Sequence, residues 1–192
     1  EEWNGSTQWR GSRGGVNGAH LAALMRNKET GEDTSVTVAL TPNGWADAIT
    51  AVEKPPAKAR DYFVTPFECS KTLPELCTAL HRSHKDCKPV LDADPESRFT
   101  VRVSSEGELE GAPRTPIPYA QLQNSSLTVE YRAVLGDIDS NVKDFGEQIF
   151  GVAAEAENFW IGSDCSVTSM HQDLYENLYA VVAGGSKTFH LL

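Results

Sequence analysis

The sequence has few basic residues, few cysteines and no long apolar run. Lys and Arg number 17 against 27 Asp and Glu, which gives a formal net charge of -10 at pH 7. Because nucleic-acid affinity comes mainly from basic side chains that neutralise phosphates, this balance argues against a nucleic-acid partner. The longest apolar stretches, such as residues 179–183, fall far short of the roughly 18 residues that a spanning helix needs. We therefore expect no membrane insertion.

The cysteines suggest a reducing compartment, and the ends of the chain suggest an incomplete domain. Neither end carries a signal segment, and no regular framework spacing relates the four cysteines, Cys69, Cys77, Cys87 and Cys165. We therefore expect a soluble protein with reduced cysteines in the cytoplasm, with the nucleus as the alternative location. The chain starts at Glu1 and stops at Leu192 inside a strand-like run. We expect from this a fragment whose last strand has an unpaired edge, which would permit a homodimer.

Hydrophobic patterning predicts one domain with helices and strands. Residues alternate over 36–41, which predicts a strand, whereas Leu73, Leu76 and Leu80 share one face of a predicted helix over 73–85. A short helix is predicted over 20–25, and extended segments over 61–67, 98–103 and 127–133. Residues 137–150 are predicted to form a loop or short helix, and residues 104–126 are predicted to form a surface loop. The last third predicts closely spaced strands over 159–162, 167–175, 178–182 and 187–192.

His171 and Asp173 are the residues best suited to chemistry. Side chains at i and i+2 of a strand point to the same face, so both can reach one metal ion. An imidazole and a carboxylate, joined by a histidine from a distant strand, make the facial triad of non-haem Fe(II) oxygenases. By itself the tripeptide is common, and a surface turn is its ordinary interpretation.

The residues around this pair resemble the JmjC family of oxygenases. The sequence reads Trp-Ile-Gly at 160–162, Val-Thr-Ser-Met-His-Gln-Asp at 167–173 and Tyr-Glu-Asn-Leu-Tyr at 175–179, with a glycine turn before Lys187. The resemblance covers 158–192, extends more weakly to 36–49, 63–66 and 129–131, and is greatest to small JmjC proteins that hydroxylate protein side chains. It implies a mainly β fold with flanking helices, the double-stranded β-helix of cupin-like jelly rolls, here truncated. Residues 1–192 would form a single incomplete domain with a loop insertion over 87–126.

The resemblance also implies cofactors, a substrate class and roles for individual residues. Fe(II), 2-oxoglutarate and O2 would be required, and the substrate would be a protein whose side chain, a lysyl one in the nearest branch, is hydroxylated. His171 and Asp173 match the first two iron ligands at the catalytic centre. The residues that match or join the cosubstrate site are Thr168, Lys187, Tyr131 and Asn177.

Two features depart from the family pattern. The third iron ligand of the family is a histidine on a much later strand, which this sequence does not reach. His190 is the single histidine downstream of Asp173, but strand parity turns it away from the barrel if Lys187 points inward. One extra residue separates Gly184 from Lys187, and a bulge could absorb it.

Alternative functions stay open at this point. A truncated chain could be a non-catalytic cupin-like binding protein, which predicts weak iron affinity because two protein ligands hold Fe(II) poorly. A histone lysine demethylase is an alternative within the oxygenase class. Cys165 precedes the motif in a turn and is interpreted as a packing residue rather than a nucleophile. A zinc site is the other metal hypothesis, although its spacing fits no common module, and it would use Cys77, His81, His84 and Cys87.

Overall fold

The structure is a computed structural model that describes residues 8–11, 16–42, 44–86, 99–107, 109–110, 116–123, 125–138 and 140–191. Strands in these ranges form sheets of three, two and four strands. Helices flank the three-stranded sheet, and none of those described is long and apolar enough to cross a membrane. The predicted mainly β organisation with flanking helices is confirmed.

The three-stranded sheet is centred on β1 (Ser35–Thr41), as the alternating pattern predicts. β1 pairs antiparallel with β5 (Phe67–Thr72) along most of its length and with β8 (Ile117–Tyr119) at its end. Val36 and Val38 point into the core and are fully buried. The loop predicted over 104–126 is therefore wrong at 117–120, where β8 pairs with β1 and Ala120 bridges to Ile161, and at Leu109–Glu110, which form a short strand. Ile117 and Tyr119 are buried.

The four-stranded sheet has the order β4-β3-β6-β7. β3 (Ala48–Glu53) pairs antiparallel with β4 (Arg60–Val64) and parallel with β6 (Phe99–Val103), and β6 pairs with β7 (Leu109–Glu110). The extended segments predicted over 61–67 and 98–103 are confirmed at 61–64, 67 and 99–103, and residue 98 lies outside the described residues. Of the insertion predicted over 87–126, residues 87–98, 108, 111–115 and 124 lie outside the described residues, and its standing as an insertion stays a prediction.

Two of the helices are those that the sequence predicts. Asn17 caps α1 (Gly18–Met25) through a hydrogen bond from the His20 backbone N–H. Thr72 and Glu75 exchange hydrogen bonds at the start of α2 (Leu73–Asp86), which is the capping-box arrangement. The leucine face of α2 packs into the core, which is formed mainly by Trp9, Leu21, Met25, Val36, Val38, Leu73, Leu76, Leu127, Tyr131 and Val134.

The strand predicted over 127–133 is wrong. This segment forms α3 (Ser126–Val129) followed by a 3₁₀ helix (Arg132–Asp137). Leu127, Tyr131 and Val134 are buried, whereas Val129 is exposed. The buried residues are spaced by four and three positions, which is the period of a helix and not the two-residue period of the predicted strand. The segment predicted as a loop or short helix then forms α4 (Ser140–Phe150).

The run of strands predicted in the last third is also largely wrong. Regular strand is confined there to β9 (Val167–Thr168), and Ile161 forms an isolated bridge with Ala120. From residue 169 to 191 the described backbone pairs with no described strand, and side chains such as Leu174 and Leu191 are exposed. Alternating residues do not make a strand unless a neighbouring strand supplies hydrogen bonds.

Candidate functional site

The candidate site begins at the point where β9 joins β2 (Trp45–Ala46) in parallel. Just before β9, the Ser166 hydroxyl accepts a hydrogen bond from the backbone N–H of Ser163 at 3.0 Å, which closes a tight turn. The Val167 N–H then donates to the Gly44 carbonyl at 2.8 Å. A Cβ at Gly44 would lie 1.8 Å from the carbonyl oxygen of Cys165, so only glycine allows these two segments to meet.

His171 and Asp173 come together as the sequence predicts. The distance from His171 Nε2 to Asp173 Oδ1 is 3.7 Å, and both side chains are about half exposed. His171 Nδ1 lies 2.7 Å from the carbonyl oxygen of Ser169, which accepts the hydrogen bond. The second ring nitrogen and one carboxylate oxygen thus face each other at an open surface, although no regular strand holds them.

Asn177 contacts the Asp173 carboxylate. Its Nδ2 donates to Asp173 Oδ2 at 2.9 Å and to the Tyr175 carbonyl at 3.2 Å. Asp173 therefore has one oxygen, Oδ2, hydrogen-bonded to an amide while the other, Oδ1, faces His171. This geometry gives Asn177 a role in orienting the carboxylate, whereas its predicted contact with a cosubstrate stays a prediction.

Thr168 and Lys187 meet at Tyr119, a residue that the sequence analysis missed. Lys187 Nζ lies 5.8 Å from the centroid of the Tyr119 ring, within the range of a cation–π contact. Burial and the neighbouring Tyr179 raise the pKa of Tyr119 to about 12, and a hydrogen bond with the Thr168 side chain opposes that rise. Burial also lowers the pKa of Lys187. An ammonium and hydroxyl groups are of the types that bind a carboxylate. Lys187, Thr168 and Tyr119 are called the anion receptor below.

Tyr131 lies in the core rather than in this group. Its ring packs edge-on against Phe159 at a centroid distance of 5.0 Å, and the residue is 1% exposed. Burial, followed by the neighbouring Glu130, raises the pKa of Tyr131 well above its ordinary value. Its hydroxyl has no hydrogen-bond partner among the described residues. The tyrosine that contacts Thr168 and Lys187 in the described part of the chain is Tyr119.

An aromatic wall borders the anion receptor. Tyr179 packs against Trp160 at 5.5 Å and against Phe189 at 5.2 Å between ring centroids. The Trp160 Nε1 atom is buried and has no hydrogen-bond partner among the described residues. Tyr179 is 40% and Phe189 58% exposed, so these rings lie at the surface beside the buried Tyr119.

Within the described residues, no three His, Cys, Asp or Glu side chains are grouped so that they could hold a metal ion. His190 is exposed. Of the zinc hypothesis, Cys77 is half-buried and close to Gly18, where an added Cβ would lie 2.6 Å from its Sγ atom. This contact is a helix-packing role. The side chain of His84 and all of Cys87 lie outside the described residues.

Cys165 is fully buried and disulfide-bonded. It is therefore no thiolate nucleophile, which agrees with its interpretation as a packing residue. The expectation that the cysteines are reduced is wrong for Cys165, while Cys69 and Cys77 are free.

Comparison with known proteins gives consistent matches. A sequence profile described as Cupin-like domain matches residues 4–192. JmjC domain-containing protein E of Dictyostelium discoideum is 37% identical over 192 residues, which cover 100% of this chain and 43% of that protein. The chain is also similar to two relatives whose names state an activity on lysine.

The first of these is Lysine-specific demethylase JMJ32 of Arabidopsis thaliana, 38% identical over 160 residues, which cover 83% of this chain and 36% of the relative. The second is the human Bifunctional peptidase and (3S)-lysyl hydroxylase JMJD7, 34% identical over 152 residues, which cover 79% of this chain and 36% of the relative. The chain thus spans less than half the length of each of these three relatives.

Proposed function

Because this chain belongs to the family of cupin-like JmjC domains, we propose that it binds Fe(II) and 2-oxoglutarate for the O2-dependent hydroxylation of a lysyl side chain in a protein. The observation that carries the proposal is the approach of His171 Nε2 to within 3.7 Å of Asp173 Oδ1. The placement of Lys187 over the Tyr119 ring supports the cosubstrate part of the proposal. The name of one relative, a lysyl hydroxylase, supports the choice of substrate.

The donor set at His171 and Asp173 fits an Fe(II) ion. Imidazole nitrogen and carboxylate oxygen are the donors of the two-histidine, one-carboxylate triad. His171 has its Nδ1 hydrogen-bonded to a carbonyl and Asp173 has its Oδ2 hydrogen-bonded to Asn177. Both residues thus keep one donor atom available while the other is fixed, which is the outer-shell arrangement of metal ligands. Among the described residues, no third His, Cys, Asp or Glu side chain is grouped with these two.

The receptor at Lys187 fits the distal carboxylate of 2-oxoglutarate. Lys187 would supply a charge-assisted hydrogen bond, and the hydroxyl groups of Thr168 and Tyr119 would supply neutral ones. Burial disfavours the charged form of Lys187 and lowers its pKa. A bound carboxylate would oppose this effect, because an opposite charge nearby favours ionisation.

The reaction converts a C–H bond of the substrate and O2 into C–OH, while 2-oxoglutarate becomes succinate and CO2. Bound Fe(II) with 2-oxoglutarate and O2 supplies the oxidising power. His171 and Asp173 would hold the Fe(II) ion, and Asn177 would orient the Asp173 carboxylate. Lys187 would bind the distal carboxylate of 2-oxoglutarate.

A lysine demethylase is the second candidate, since one relative is named as such. The two activities differ in the product. We would incubate the chain with Fe(II), 2-oxoglutarate and either lysyl or methyl-lysyl peptides, and measure the peptides by mass spectrometry, with Asp173→Ala as the control. A gain of one oxygen supports the hydroxylase, and loss of a methyl group supports the demethylase. Metal binding without turnover of any peptide would instead indicate a non-catalytic binding protein.

A further inference from the structure

Ser169 connects the β2–β9 pair to the candidate metal site. The parallel pairing covers Trp45 with Val167 and Ala46 with Thr168, and it ends there. β2 then turns away at Asp47, whose φ of 54° is in the left-handed region. At this end of the pair, the Ser169 hydroxyl donates a 2.6 Å hydrogen bond to the carbonyl of the buried residue Ala46. The side chain of Ser169 thus fixes its own backbone to β2.

The backbone carbonyl of the same serine accepts the hydrogen bond from His171 Nδ1 at 2.7 Å. A carbonyl has no proton to give, so Nδ1 must carry the hydrogen. In a neutral imidazole the other nitrogen, Nε2, then has a free lone pair. Nε2 is the atom that lies 3.7 Å from Asp173 Oδ1. The anchored carbonyl of Ser169 therefore selects the ring tautomer and the ring orientation that a metal ion needs.

We propose that Ser169 is a positioning residue for the metal site, acting through the chain Ala46 carbonyl, Ser169 hydroxyl, Ser169 carbonyl and His171 Nδ1. This inference deepens the proposed function and takes from it the assignment of His171 as a ligand. The carbonyl belongs to the backbone and survives any substitution. What a substitution removes is the hydroxyl that holds this carbonyl in place.

Two variants of Ser169 and one control test whether its hydroxyl group is what matters. Ser169→Ala removes the hydrogen bond to Ala46. Ser169→Thr keeps the hydroxyl and adds a methyl group that extended backbone tolerates. Ser70→Ala is the matched control, because Ser70 is an exposed serine on β5. Removal of an outer-shell partner of a metal ligand lowers metal affinity about 10-fold or more.

Two measurements test the role. In the metal-free chain, ¹⁵N NMR of the His171 ring reports which nitrogen carries the proton. We expect the Nδ1–H tautomer in the wild type, Ser169→Thr and Ser70→Ala, and a mixture of tautomers in Ser169→Ala. In a Co(II) titration followed by visible absorption, Ser169→Ala should bind about 10-fold more weakly than the wild type, whereas the other two variants should bind equally well.

The outcomes distinguish this inference from the proposed function. If Ser169→Ala keeps both the single tautomer and the wild-type Co(II) affinity, the positioning role is wrong even though the metal site stands. If the wild-type chain binds Co(II) no better than His171→Ala does, the proposed function fails. The tautomer measurement still decides the role of Ser169 in that case, because it needs no metal.

Discussion

The ammonium nitrogen of Lys187 lies over the ring of Tyr119, 5.8 Å from its centroid. The two residues are 68 positions apart, from Tyr119 at the end of β8 to Lys187 after the glycine turn. Thr168 of β9 is hydrogen-bonded to the Tyr119 side chain, so three residues far apart in the sequence come together at one ring. Under the proposed function, these three residues would bind the distal carboxylate of 2-oxoglutarate.

The choice between the two tyrosines can be tested by removing each hydroxyl. Tyr119→Phe should weaken 2-oxoglutarate binding about fivefold, because a neutral hydrogen bond contributes about 1 kcal/mol. Tyr131→Phe is the matched control and should leave the affinity unchanged, since that hydroxyl has no partner among the described residues. Isothermal titration calorimetry with Mn(II) in place of Fe(II) measures both. Weaker binding in Tyr131→Phe alone would restore the role that the sequence resemblance gave to Tyr131.

Gly44 should tolerate no side chain. Its φ is 92°, and an added Cβ would lie 1.8 Å from the Cys165 carbonyl oxygen. Gly44→Ala should therefore lower the free energy of unfolding by more than about 3 kcal/mol in urea denaturation. Gly107 has a similar φ of 87° with open space around it, so Gly107→Ala should cost only about 1 kcal/mol. Equal losses in both variants would show that backbone strain, and not the contact with Cys165, is the cause.

Glu130 should stabilise the central sheet where β8 does not reach. Its carboxylate accepts hydrogen bonds from the Thr37 backbone N–H at 3.1 Å and from the Thr37 hydroxyl at 2.6 Å. Glu130→Ala should cost about 2 kcal/mol of unfolding free energy, because hydrogen bonds to charged groups are strong and the N–H loses its partner. Glu68→Ala on the exposed face of β5 should change stability by less than about 0.5 kcal/mol. A loss in Glu130→Ala no larger than in this control would contradict the role.

Asp137 should make stability depend on pH in the acidic range. Burial of its side chain opposes ionisation, but hydrogen bonds from His20 at 2.6 Å and Trp9 at 2.9 Å outweigh burial and lower the pKa of Asp137. A lowered pKa in the folded state means that the contribution is fully present above the ordinary value of 3.8 and is lost as the pH falls through the lowered value. The difference in melting temperature between the wild type and Asp137→Asn should therefore shrink below about pH 4. A difference that stays constant down to pH 2 would contradict it.

The sequence predicted those parts of the fold that local pattern determines. The alternation in β1 and the leucine face of α2 each agree with the tertiary structure, because one period fits the buried positions. The prediction failed over 127–134, because residues 127, 129 and 131 also fit the two-residue period of a strand. Burial shows that the helical period applies, since the buried residues are Leu127, Tyr131 and Val134. Residues 169–191 alternate without a described partner strand, and pattern alone supplies no partner.

The candidate site could be predicted in part for a similar reason. His171 and Asp173 are two residues apart, so their approach follows from local geometry. Tyr119 belongs to a segment flanked by prolines, which reads as a loop, and its contact with Thr168 and Lys187 depends on the pairing of β8 with β1. The alternation of Ile117 with Tyr119 was the signal that could have identified this strand.

The most direct measurement is an anaerobic titration of the chain with Fe(II) and 2-oxoglutarate, followed by the visible charge-transfer band between the metal and the cosubstrate. We expect a saturable band in the wild type and no band in His171→Ala. Lys187→Ala should need at least about 10-fold more 2-oxoglutarate, because it removes a charge-assisted hydrogen bond. Folded protein that gives no band at any concentration, or a band that survives in His171→Ala, would contradict the assignment of His171, Asp173 and Lys187 to an iron and 2-oxoglutarate site.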